Sequence, residues 1–184
     1  MKPVFLIVTL VAAFTTNILC GQQSTPATAE THKQKMELFK NWVGQWKGEG
    51  TIQRGPQNSS KSAVTENIEM KLDGGIVVVE GIGKTSDAET KTEKVVHHAF
   101  GVLSYDLMAN KYRFESYLAD GKSTEAWFNV IGENKYQWGF ETPQGKIRYT
   151  ITIDPVANTW EEIGEFTRDE KTWYKTFEMK LKKV

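Results

Sequence analysis

The sequence predicts an all-β fold: an antiparallel, up-and-down β-barrel of about ten strands, with a short N-terminal helix closing one end. Three observations carry the prediction. From Gln45 to the C-terminus apolar and polar residues alternate in short runs, the period-two pattern of a strand with one dry face. Turn-forming clusters such as Asp73-Gly74-Gly75, Met108-Ala109-Asn110, Gly132-Glu133-Asn134 and Pro155-Val156-Ala157-Asn158 separate the runs, so neighbouring strands connect directly and run antiparallel. No helix-length pattern interrupts them, and so many one-faced strands bury their dry side without an exposed edge only by curling closed.

The chain starts with a segment that does not belong to this fold. Residues 1–21 read as a secretory signal peptide: Lys2 gives a minimal positive start, and Val4 to Ala13 is apolar except for Thr9, too short to span a bilayer. Cleavage is expected after Gly21. Cys20 offers an alternative, lipidation as in a bacterial lipoprotein, although Leu19 is large where that processing takes small residues. The expected location is secreted or periplasmic, with an outer-envelope lipoprotein as the alternative. Residues 22–31 read as a flexible polar leader, and residues 32–184 as one barrel domain.

The domain opens with Lys33 to Val43, where Met36, Phe39, Trp42 and Val43 suggest an amphipathic helix. Gly44 suits its C-cap. The first strand then places Trp46, Gly48, Gly50 and Ile52 on its dry face and Lys47, Glu49, Thr51 and Gln53 on the other. A large indole followed by glycines fits the tapered end of a small barrel, with Trp46 as its floor. Strands are expected at 45–54, 62–73, 76–85, 94–106, 111–120, 124–132, 135–142, 146–154, 159–168 and 172–182.

Basic and acidic residues balance at 23 each, and removing the signal takes away Lys2 alone. There is no basic stripe for nucleic acid and no polybasic arm for a membrane surface. Loss of Cys20 would leave a domain without disulfide or thiol chemistry. Aromatic residues are abundant, with six Trp, six Tyr and nine Phe, most of them after residue 100. They serve cross-strand packing and suggest a cavity lined by rings.

The strand phases place Glu66, Glu80, His97, Ser116, Glu162 and Lys175 on inward faces, beside an aromatic wall of Tyr112, Phe114, Trp138, Phe140 and Tyr149. So many polar groups do not suit a tightly packed core. They pair near a mouth, surround a filled cavity, or mark a one-residue slip in the assigned register. His97 and His98 are neighbours on a strand and point to opposite faces, so they do not converge on a metal. The sequence has no Gly-x-Ser-x-Gly elbow, no His-Glu-x-x-His and no phosphate-binding glycine loop.

Gly44-x-Trp46 after a short helix resembles the lipocalin-like (calycin) signature. Trp46-Lys47-Gly48-Glu49-Gly50 is similar to the opening of the nitrobindin-like haem-binding barrels and of a related uncharacterised bacterial barrel family. Phe100-Gly101-Val102-Leu103-Ser104-Tyr105-Asp106, followed by Asn110-Lys111-Tyr112, resembles a mid-chain hairpin of that second family. The resemblance covers residues 36–183 in strand rhythm and implies a binding site inside the barrel. In the nitrobindin-like barrels a histidine on the final strand holds the iron. Residues 173–181 contain none, only Met179 and Tyr174 as conceivable ligands, so haem is not expected and no other cofactor is implied. The lipocalin pattern also implies a late arginine over the first-strand tryptophan, where this chain has only lysines on its last strand.

The sequence thus leads to a binding barrel for a small hydrophobic or amphipathic molecule, oriented by His97, Glu80 and Glu162. One alternative is an enzyme using His97 and a glutamate in the same cavity. The other is a structural or interaction barrel without a ligand.

Overall fold

The computed structural model describes residues 26–184 except 56 and 88, with side chains from residue 31 onward. The expected signal segment, the Gly21 cleavage site and Cys20 lie outside the described residues. A helix, α1 (Pro26–Glu37), precedes ten strands: β1 (Gly44–Gly55), β2 (Asn58–Lys71), β3 (Ile76–Ser86), β4 (Glu93–Asp106), β5 (Lys111–Leu118), β6 (Ser123–Gly132), β7 (Lys135–Thr142), β8 (Gly145–Asp154), β9 (Thr159–Thr167) and β10 (Tyr174–Lys183). Each strand pairs antiparallel with its sequence neighbour, and β10 pairs with β1 to close the barrel. Among the described residues no helix is long and apolar enough to cross a membrane.

The turns use the chemistry their backbones need. Asp106 and Asp154 each accept hydrogen bonds from the backbone N–H groups two and three residues on, to Met108 and Ala109 and to Val156 and Ala157. The same two loops end on Asn110 and Asn158 with φ of 51° and 53°, a left-handed conformation that asparagine tolerates well.

The helix differs from the expectation. It starts at Pro26, inside the segment expected to be a flexible leader, and stops at Glu37. The chain then runs through consecutive tight turns, Phe39 N–H to Met36 O, Lys40 to Glu37, Trp42 to Phe39 and Val43 to Lys40. These are i to i+3 bonds, in which residues three apart stack on one side. The spacing 36, 39, 42 fits that geometry better than a 3.6-residue helix. Met36, in the last turn of α1, and Phe39 and Trp42, in the turns that follow, are all buried, so the end of α1 and this turn segment together plug the barrel end.

Phe39 is the centre of the plug. Its ring lies 5.2 Å from Trp42, 5.4 Å from Tyr112, 5.6 Å from Phe128 and 5.2 Å from Tyr136, mostly edge to face, the favoured arrangement of aromatic pairs. The Tyr112 and Tyr136 hydroxyls donate to the carbonyls of Lys35 and Leu38, tying the strands to the plug. Trp46 is 1 % exposed, packs against Trp160 at 5.7 Å and donates its indole N–H to the Trp42 carbonyl at 2.7 Å. Trp46 thus lies at the plugged end of the barrel. Lys183 Nζ lies 5.2 Å from the Trp46 ring centroid, so a lysine takes the cationic position over the first-strand tryptophan.

Candidate functional site

Pairing registers divide the interior into two levels. The plugged level holds Ile68, Leu103, Tyr105, Phe128, Tyr136, Ile153, Trp160 and Leu181, all buried. Above it, Phe114, Trp138, Phe140, Ile147, Tyr149 and Phe177 share the inward phase of their strands yet stay partly exposed. Inward side chains that still meet solvent define an open mouth at the end opposite the plug. Trp138 is the hub of this wall. It stacks on Tyr149 with centroids 4.2 Å apart and planes 14° from parallel, and meets Phe114 edge-on at 5.0 Å. Tyr149 reaches Phe177 at 6.0 Å.

Two carboxyls stand where the levels meet. Glu162 on β9 is 7 % exposed, registered with Ile151 on one side and Met179 on the other. The Trp138 indole N–H donates to its Oε1 at 3.0 Å. Burial raises its pKa to about 7, and the Trp138 and Trp160 N–H groups offset part of the rise. The Trp160 N–H acts only through the field, since it is buried without a partner in hydrogen-bond geometry. Glu66 on β2 keeps some solvent contact through the mouth, but its carboxyl sits deep, and burial together with the Glu162 charge raises its pKa to about 8. No described group hydrogen-bonds to Glu66. The same two influences, burial and the charge of Glu162, raise the Tyr149 hydroxyl to about 12.

Glycines make room for this arrangement. Glu66 lies opposite Gly81, where an added Cβ would come within 2.7 Å of both carboxyl oxygens. β1 and β3, the strands on either side of β2, carry Gly48, Gly50, Gly81 and Gly83 on the inner phase; Glu66 itself pairs with Trp46 on β1 and with Gly81 on β3, so an indole flanks it on one side and bare backbone on the other. On β9, Gly164 is covered by the Tyr149 ring, which an added Cβ would meet at 2.7 Å.

The expected site residues separate accordingly. Glu66, Glu162, Phe114, Trp138, Phe140 and Tyr149 come together around the open half. Tyr112 does not belong there: its ring packs on Phe39 and Tyr105 in the plug, where burial and the neighbouring Tyr105 and Tyr136 raise its hydroxyl to about 12. Ser116 is inward, opposite Gly101. His97 has the inward phase opposite Gly83, but sits at the rim and is exposed; burial of part of the ring and the neighbouring His98 hold its pKa below the ordinary histidine value.

Two residues face the other way. Glu80 was expected inside, but the β2–β3 register sets Glu66 against Gly81 and therefore puts Glu80 on the outer surface. There it meets His98 Nε2 at 2.8 Å, both side chains more than 40 % exposed. The run Ile76-Val77-Val78-Val79 is apolar on both faces and hides the phase of β3. Lys175 was also expected inside. A β-bulge between Lys175 and Phe177 resets the phase, pairs Lys175 with the outward Glu165, and leaves its ammonium 2.7 Å from Glu178 on the surface.

Sequence reasoning missed the role of Phe177 in the wall and the electrostatic coupling of Glu66 to Glu162. The inner-phase glycines on β1, β3 and β9 were the available signal. Two surface recesses, of about 260 Å³ and 400 Å³, lie near the β7–β8 turn and beside α1, and neither includes Glu66 or Glu162. No family model matches the chain, and no curated protein matches it.

Proposed function

We propose that this protein is an extracytoplasmic binding barrel whose open half holds a small, largely apolar molecule against the Trp138, Phe140, Tyr149 and Phe177 rings. One observation carries the proposal: the barrel fills one half with its own side chains and leaves the inward aromatics of the other half in contact with solvent. The location rests on the residue 1–21 segment alone. Haem is not the ligand in this proposal, because β10 turns Phe177, Met179 and Leu181 inward and carries no histidine.

Native and denaturing mass spectrometry of the protein purified from its own host test the proposal. A small-molecule mass in the native spectrum that vanishes on denaturation is expected. A native mass equal to the bare chain, with no ligand protecting Trp138 from a soluble fluorescence quencher, would instead support a self-filled structural barrel.

A further inference from the structure

The Glu66 carboxyl is an inward acidic group without a hydrogen-bond partner among the described residues. It is on the inner face, lies over Gly81 on β3 with Trp46 beside it on β1, and accepts no hydrogen bond from any described group. Glu162 is within electrostatic reach and is already oriented by Trp138. A buried carboxyl without a donor is costly, and the ligand is the natural source of one. An anionic ligand would bring a further negative charge beside the Glu66 and Glu162 carboxyls, which repel each other wherever both are ionised. A hard metal ion would need six or more oxygens, and among the described residues no three His, Cys, Asp or Glu side chains converge. A protonated amine supplies donors and the opposite charge without that demand.

We propose that the open half of the barrel takes a ligand bearing a protonated amine on a flat apolar body, with the ammonium at the Glu66 carboxyl beside Glu162 and the body against the Trp138–Tyr149 stack. This rests on the binding function above and specifies its ligand class. The wall suits the assignment: the Trp138 N–H edge meets Glu162 at 3.0 Å, which sets the flat Trp138–Tyr149–Phe177 surface beside the carboxyls, where an apolar body would lie. The other inward titratable groups of the open half include Tyr149, neutral at physiological pH, and, at the rim, His97 and Lys94, which pairs with Thr85 on the same face as Gly83, so the one lysine among them stands at the mouth rather than beside Glu66.

Three probes of one shape test it: 2-(1-naphthyl)ethylamine, 2-(1-naphthyl)ethanol and 3-(1-naphthyl)propionate, titrated into the purified protein by calorimetry at pH 8.5. The amine is still protonated there, since ordinary alkylamines titrate near 10. It should bind about tenfold or more tightly than the alcohol, and the carboxylate weakest, because a buried charge pair discriminates by at least one decade. Glu66→Gln should bring the amine to the level of the alcohol while leaving the alcohol within about twofold. Glu162→Gln keeps an acceptor for Trp138 and should weaken the amine alone, which provides a second test should the first variant misfold. Alcohol or carboxylate binding as tightly as the amine, or a Glu66→Gln protein that keeps the preference, overturns the inference but leaves the binding function standing. If none of the three binds while the native spectrum carries some other molecule, the inference alone falls. If none binds and the native mass is bare, both fall.

Discussion

The Trp138 indole N–H donates to Glu162 Oε1 at 3.0 Å, joining residues 24 apart in sequence on strands separated by β8. The same indole lies face to face on Tyr149, so one side chain is both the centre of the aromatic wall and the hydrogen-bond donor that keeps a buried carboxyl in place. Trp138→Phe separates these roles. The ring and most of the stacking remain, and the donor is lost. Denaturant unfolding should show a loss of about 1–3 kcal/mol at pH 8, where Glu162 is ionised and left with one donor fewer. At pH 5 the carboxyl is neutral and the loss should shrink. An equal loss at both pH values would mean that Trp138 acts through packing alone.

The carboxyl pair also predicts an unusual pH dependence. Glu66 and Glu162 are raised to about 8 and about 7, against an ordinary value of 4.5 in the unfolded chain. A carboxyl raised on folding binds its proton more tightly in the native state, so stability falls as pH rises between the unfolded and folded values. The protein should be more stable near pH 5 than near pH 9, by roughly 6 kcal/mol at most if both shifts act in full, the repulsion entering once through Glu66. His97 has the opposite sign. Its depressed value means that the unfolded chain takes up the proton first, which trims stability as pH falls below the ordinary histidine range. Urea midpoints from pH 5 to 9 would show the slope, and Glu66→Gln should flatten it. A profile that rises with pH over this range would contradict the buried pair.

Much of this was legible in the sequence, for a physical reason. Strands such as Lys146 to Ile153 alternate strictly, because the barrel wall has water on one side and packed rings on the other, and Trp46 announces the floor by its size and by the glycines that follow it. Legibility failed where the pattern carries no phase information. The valines of β3 are apolar on both faces, so nothing local marks the side of Glu80, and only the pairing of Gly81 with Glu66 turns it outward. The bulge in β10 adds a residue without any proline or glycine to mark it, and Lys175 moved outside with it. The tight turns after α1 use a spacing of three that a short window does not distinguish from a helix. The coupling of Glu66 to Glu162 joins strands β2 and β9, which meet only through barrel closure, and no local pattern reports it.

The floor should be the most sensitive single position. Trp46 fills the barrel end, contacts Trp160 and donates to the Trp42 carbonyl. Trp46→Ala leaves a cavity where the plug, β1 and β9 meet and also frees the buried Trp42 carbonyl. The expected cost is about 3–5 kcal/mol by equilibrium unfolding. Trp46→Phe should recover roughly half, since it restores ring volume without the N–H. A cost below about 1 kcal/mol for the alanine variant would show that the plug can collapse into the space.

Gly164 tests whether the wall is held in shape by what is absent. An added Cβ would come within 2.7 Å of the Tyr149 ring and 2.8 Å of the Phe177 Cβ, so Gly164→Ala must displace one or both. The backbone there is ordinary strand, and alanine is conformationally acceptable. The cost of about 1–3 kcal/mol therefore comes from overpacking. Tyr149 is pinned on its other face by Trp138, so displacement should be read in the Trp138 emission spectrum as well as in the melting temperature. An unchanged spectrum with a lowered melting temperature would assign the movement to Phe177.

His97 and His98 separate an interior role from a surface one. His98 pairs with Glu80 on the outer face, half-exposed, where an ion pair is worth less than about 1 kcal/mol, so His98→Ala should leave both stability and interior binding nearly unchanged. His97 has the inward phase at the rim, beyond Gly83, and is too exposed to anchor a ligand deep in the barrel. His97→Ala should weaken a ligand that protrudes from the mouth by no more than about threefold, and one held wholly within the Trp138 wall not at all. In an enzyme with His97 as its base, the same substitution would lower turnover by ~100-fold or more. Parallel binding and turnover measurements on the two alanine variants distinguish the cases. A loss of binding on His98→Ala would be inconsistent with the register of β4, since that side chain lies on the opposite side of the wall from the interior.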